Sequence, residues 1–113
     1  MSRRTATAMA IALAALAWAG PVHADSTKRI SVTIKDHRFD PAEIHVPAGT
    51  AVILVITNAD ETSEEFDSSD LRIEKVLQGG QKGSVWVRPL SAGTYSFMGE
   101  FHAETAKGVI IAE

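Results

Sequence analysis

Along most of the chain, apolar and polar residues alternate in short runs, the period-two pattern of strands half-buried against a core. In Arg29–Lys35, Ile30, Val32 and Ile34 share one face, and Ser31 and Thr33 share the other. A turn at Asp40-Pro41 precedes a short strand from Glu43 to Val46, and Pro47-Ala48-Gly49 supplies the next turn. The run "TAVILVITN", residues 50–58, is almost continuously apolar and β-branched, which predicts a central strand. Asn58–Ser63 is polar and reads as loop. Glu65-Phe66-Asp67 resembles a short strand with Phe66 pointing opposite to its neighbours, and Leu71–Leu77 fits either a strand or a helical turn, closed by Gly79 and Gly80. Ser84–Arg88 forms a strand around Trp86, and Pro89 and Gly93 mark a turn. Tyr95 and Phe97 then alternate with Thr94, Ser96 and Met98, and Gly108–Ala112 is a terminal apolar strand. About seven or eight evenly spaced strands, without a long helix or a repeat, predict an all-β sandwich or barrel with Greek-key connections.

The first part of the chain has a different pattern. Arg3 and Arg4 precede an apolar stretch from Ala8 to Ala19, then Gly20-Pro21 and Val22-His23-Ala24. A charged start, a short apolar core and a small-x-small ending predict a secretory leader over residues 1–24, cleaved after Ala24. The apolar run is shorter than the roughly 20 residues that span a bilayer, so the processed protein is expected not to cross a membrane. Of 113 residues, 89 then remain, Asp25–Glu113, as one domain able to bury a modest core. Without Arg3 and Arg4, 9 of the 11 basic residues remain against 14 acidic ones, a net charge near −5. That balance argues against nucleic acid or anionic membrane as partners and suits cation binding.

The chain has no cysteine, which rules out a thiolate copper site, an iron–sulfur cluster and a Cys-zinc site. No nucleophile elbow, P-loop or dinucleotide fingerprint follows any strand. What remains is acidic. "DETSEEFDSSD" carries Asp60, Glu61, Glu64, Glu65, Asp67 and Asp70; Glu74 lies beside Lys75; and "GEFHAET" carries Glu100, His102 and Glu104. An extended chain would put Glu100, His102 and Glu104 on one face and pair Glu65 with Asp67 on another. Carboxylates with one imidazole suit manganese, iron or zinc and tolerate Cu(II). His45 is expected on the polar face of an edge strand, His37 in a polar turn where a second, weaker site is conceivable, and Met98 in packing.

"FDPAEIHVPAGTAVILVITNAD" and "PLSAGTYSFMGEFH…KGVIIAE" resemble the opening and ending of cupredoxin domains. Carried over by position, the family's first copper-ligating histidine falls at Glu65, its cysteine at Gly99, and its axial methionine near Ala106 or Lys107; only the second histidine is kept, as His102. The resemblance therefore implies the fold without blue-copper electron transfer. Glu64–Ser68, Arg72–Lys75 and "GEFHAETAKG" are similar to a cysteine-less cupredoxin subgroup that accompanies periplasmic ferrous-iron uptake.

That resemblance implies a periplasmic protein binding a divalent transition metal, copper or iron first and manganese second. Glu65, Glu100 and His102 would be central ligands, Asp67 and Glu74 additional or second-site ligands, and Lys75 an orienting group. The implied partners are a periplasmic iron-binding protein and an inner-membrane iron permease. The implied role is to help oxidise Fe(II) before import. Two other readings stay open: a non-redox chaperone for Cu(II) or Mn(II), and a structural domain with a vestigial site. The sequence also leaves open whether the protein forms a homodimer.

Overall fold

Among the described residues, nine strands pair into two facing sheets, most of them alternating buried and exposed side chains. The computed structural model describes residues 27–113. The expected leader and its cleavage site at Ala24 lie outside the described residues. The strands are β1 (Lys28–Lys35), β2 (Arg38–Asp40), β3 (Glu43–Val46), β4 (Val52–Asn58), β5 (Glu64–Ser68), β6 (Ile73–Leu77), β7 (Lys82–Val87), β8 (Gly93–Gly99) and β9 (Lys107–Ala112). One sheet has the order β2-β1-β4-β7 and the other β3-β9-β8-β5-β6. Both are mixed, because β1 runs parallel to β4 and β3 parallel to β9. Among the described residues no helix is long and apolar enough to cross a membrane.

The all-β sandwich follows the sequence pattern, with three differences. Arg38–Asp40 is an additional strand, too short to show a period but paired with β1 from Thr33↔Asp40 to Lys35↔Arg38. The ambiguous segment is a strand from Ile73, entered through Arg72 at φ 57°. Met98 is not core packing: it lies on the outer face of β8 and is 42% exposed.

Three phenylalanines join the sheets. Phe39 of β2 meets Phe66 of β5 and Phe97 of β8 edge-on, at centroid distances of 5.9 and 5.0 Å, and Phe66 stacks on Phe97 at 5.0 Å. Such pairs contribute roughly 0.5–1.5 kcal/mol each beyond the area they bury. Phe66 is completely buried and fixes which face of β5 turns inward.

The end of the sandwich nearest this cluster is organised by two side chains. Asp36 and His37 form the two-residue β1–β2 turn, both at positive φ, 51° and 56°, as the tightest hairpin turns require. Neither is glycine, and Asp60 steadies both: its carboxylate accepts the Asp36 N–H at 2.8 Å and the His37 N–H at 3.0 Å. The His37 amide, with help from that of Asp36, holds the Asp60 carboxyl below its usual range. Its contribution is thus present above the ordinary aspartate pKa and lost as pH falls through the lowered one. Asn58 is fully buried at the end of β4. Its side-chain N–H groups reach the carbonyls of Thr62 at 2.8 Å and Leu77 at 3.1 Å, and its oxygen accepts the Asp60 N–H at 3.1 Å.

Replacing Asn58 by alanine removes the side-chain donor to the buried Leu77 carbonyl and the part-buried Thr62 carbonyl, and the acceptor of the Asp60 N–H. The expected loss is about 2–3 kcal/mol in urea unfolding, with the m-value unchanged.

Candidate metal centre

Alternation along β5 sorts "EEFDS" into two sets. Glu64, Phe66 and Ser68 point inward and are buried, whereas Glu65 and Asp67 point outward and are half-buried. Phe66 lies opposite Gly99 and Asp67 opposite Met98 of β8; across β6, Asp67 lies opposite Glu74. After Gly99 the chain leaves the extended conformation for a turn of 3-10 helix, Glu100–His102. Glu100 is thereby carried over the outer face of β5, beside Glu65.

The result is a cluster of like charges. One oxygen each from Glu65, Asp67 and Glu100 lies within 4.8 Å of the others. A hydrogen bond with Asp67, then the charges of Asp67, Glu65 and finally Glu74, push Glu100 above the usual carboxylate range. Ligands on one transition-metal ion bound at roughly 2.0–2.2 Å lie no more than about 4.4 Å apart, so small side-chain rotations suffice. Three carboxylates make an oxygen-donor set for iron, manganese or Cu(II).

His102 is held elsewhere. Its Nδ1 faces the Glu64 carboxylate at 2.6 Å, and its ring stacks on His37, with centroids 3.6 Å apart and planes within 10°. Glu64 is 1% exposed. Its second oxygen accepts the N–H of Glu65 and the N–H of Phe101, both at 3.0 Å.

The blue-copper arrangement does not fit these residues. Gly99, where the family's cysteine falls, has ordinary extended backbone, so space rather than strain demands glycine there. A Cβ at Gly99 would lie 2.5 Å from the Glu64 carboxyl carbon and 2.7 Å from the Ala106 methyl. The thiolate's place is filled by Glu64.

The sequence-derived candidates therefore separate. Glu65, Asp67 and Glu100 come together, with Glu74 on the adjacent strand and His102 below them on Glu64. Because residues 100–102 are helical, Glu100, His102 and Glu104 do not share a strand face, and Glu104 is exposed in the following turn. Lys75 lies opposite Phe66, on the other face of β6 from Glu74, with its Cε over Gly83 of β7, so it does not orient the cluster. His45 sits on the exposed edge strand β3, its Nδ1 on Glu113 at 2.8 Å and its Nε2 on Glu43 at 2.9 Å. Those two carboxylates, Glu113 foremost, raise its pKa. The residue that sequence reasoning passed over is Glu64. It lies two before Phe66 and so shares the inward face, a signal present in the alternation itself.

Known proteins carry the same fold. The family described as "Cupredoxin-like domain" matches residues 7–112. A Rickettsia prowazekii (strain Madrid E) protein, described as "Uncharacterized protein RP394", is 42% identical over 87 residues, 77% of this chain and 70% of that protein. Auracyanin A, a "blue" copper protein from Chloroflexus aurantiacus, superposes with a TM-score of 0.65 at 16% identity, over 75% of this chain and 98% of that one. The metal-binding domain of the Streptococcus pneumoniae Cu(I)-exporting P-type ATPase CopA gives 0.67 at 15% identity, over 75% of this chain and 84% of that one. At such identities the two structures share the fold with this chain, and no more is carried across.

The raised pKa of Glu100 has a sign that can be measured. Its contribution to folding is complete below the ordinary glutamate pKa and is lost as pH rises through the raised one. In the metal-free protein, the melting temperature of the wild type relative to Glu100→Gln is expected to fall as pH rises from about 4 to 7. A difference independent of pH would show that the three carboxylates do not meet in solution.

Proposed function

We propose a function from this premise: the chain belongs to the cupredoxin-like domain family, and its metal chemistry sits on the face of the sandwich, not inside it. The observation that carries the reading is the convergence of Glu65, Asp67 and Glu100 within 4.8 Å. Three like charges brought together at a cost in stability are explained by a cation that neutralises them.

Within that reading the protein is an exported, periplasmic component of ferrous-iron uptake. Iron is its cargo, passed on to a periplasmic iron-binding protein and an inner-membrane permease. Two things support iron. Hard carboxylate oxygens match it, and the segments around Glu65, Glu74 and Glu100 resemble the cysteine-less subgroup associated with such systems. Carboxylates hold Fe(III) more tightly than Fe(II), so Fe(II) bound here gives up an electron more readily. The electron passes to O₂, to a second metal or to a partner protein.

The test is calorimetric titration of the metal-free protein with Mn(II), Cu(II) and anaerobic Fe(II). Micromolar or tighter binding is expected. Glu65→Ala, Asp67→Ala and Glu100→Ala are each expected to weaken it by at least about tenfold, because losing a direct ligand costs no less than losing an outer-shell partner. His102→Ala should weaken it less, its Nδ1 being engaged by Glu64. A ligand at 100 times its dissociation constant should also stabilise the fold by about 2.7 kcal/mol. No binding tighter than roughly millimolar, or affinity indifferent to all three carboxylates, would remove the proposal. Catalytic consumption of Fe(II) under air separates an oxidation role from stoichiometric carriage of Cu(II) or Mn(II).

A further inference from the structure

Glu100 stays beside Glu65 and Asp67, sharing one hydrogen bond with Asp67, and its place on that face is also set by the backbone of its turn. Glu100 itself is exposed and belongs to a single turn of 3-10 helix whose first residue has no side-chain cap. A short exposed turn is free to swing away from repelling neighbours unless it is tied.

The tie is Glu64. One of its oxygens accepts two backbone N–H groups, that of Glu65 and that of Phe101, each at 3.0 Å. These belong to one cluster residue and to the residue following another. Its other oxygen faces His102 Nδ1 at 2.6 Å, at the far end of the same turn. Glu64 is almost wholly buried, so nothing on the solvent side competes for these bonds. Gly99 leaves the space for its carboxyl group, which a Cβ there would approach to 2.5 Å.

We infer that Glu64 is a positioning residue: its buried carboxylate straps the Glu100–His102 turn to β5 and thereby assembles the outer carboxylate cluster before any cation arrives. The inference rests on that cluster being the cation site, and part of its test is independent of metal. In the metal-free wild type, scalar couplings across the hydrogen bonds should link the Phe101 and Glu65 amide nitrogens to the Glu64 side-chain carboxyl carbon, and side-chain NOEs should join Glu65 to Glu100. Glu64→Met keeps the volume but removes both oxygens, and Glu64→Gln keeps an oxygen for the two amides. The methionine variant is expected to lose those NOEs and to bind Mn(II), followed by the EPR signal of the free ion, about 10–100-fold more weakly. Glutamine should restore affinity to within about threefold, since it retains the acceptor.

Missing couplings in the wild type overturn the inference whether or not either variant folds. So does a folded methionine variant that keeps the NOEs, or one whose Mn(II) affinity is unchanged from a wild type that binds. If the wild type binds no Mn(II) while the methionine variant loses the NOEs, the strap stands and the cation reading of the cluster falls.

Discussion

A carboxylate buried in the middle of a protein must be bonded on every side or it is expelled, because removing it from water costs several kcal/mol. Glu64 meets that condition with three donors drawn from two segments, β5 and the turn that follows β8. Most of what distinguishes this sandwich follows from it. The carboxyl group needs space, so residue 99 is glycine. The Phe101 N–H must point inward to reach it, so residues 100–102 wind into a helical turn instead of continuing β8. With Glu64 inward, Glu65 and Asp67 are turned outward by the pleat, and the wound turn brings Glu100 over them.

The same constraint separates two kinds of chemistry that lie close in sequence. Imidazole and carboxylate beneath the turn satisfy each other, and His37 covers the ring from the β1–β2 hairpin. The carboxylates above it share one hydrogen bond, between Glu100 and Asp67. Asp67 faces Glu74 directly across β6, an arrangement that destabilises a sheet, and Glu100 is left above the usual carboxylate range. In the proposed reading, the space beneath is closed by its own side chains and the cation is held at the surface, over the open acidic cluster. There it exchanges with solvent and partners without unfolding the core.

The periodic signal predicted most of this architecture. The alternation of Ile30, Val32 and Ile34, the apolar run of β4 and the Tyr95–Phe97 pattern all became strands with the expected faces inward. Arg38–Asp40 escaped notice because three residues cannot display a period, and its strand character comes from pairing with β1. The pairing of Glu65 with Asp67 was legible for the same reason as the strands, whereas their meeting with Glu100 was not. It depends on a helical turn stabilised by a hydrogen bond to a side chain 37 residues away. Two adjacent glutamates look equivalent in a string, and assigning the histidine's place to Glu65 passed over the inward one. Only the parity of Phe66 distinguishes them.

In the proposed reading, the outer face of the sheet does the binding, while Glu64 fills the space on the inner face. Interior sites gain selectivity from a rigid, desolvated cage, and a surface trio of carboxylates lacks one. Its advantages are charge and speed. An excess of acidic residues draws cations toward the protein, and half-buried oxygens can take up or give up hydration water one ligand at a time. Such a site suits an ion in transit better than a resident cofactor. A long-lived redox centre needs a fixed geometry, whereas cargo needs an entry, a brief hold and an exit on the same face. The rigidity that remains lies one layer below, where Glu64 fixes the turn and leaves the ligand side chains free to rotate.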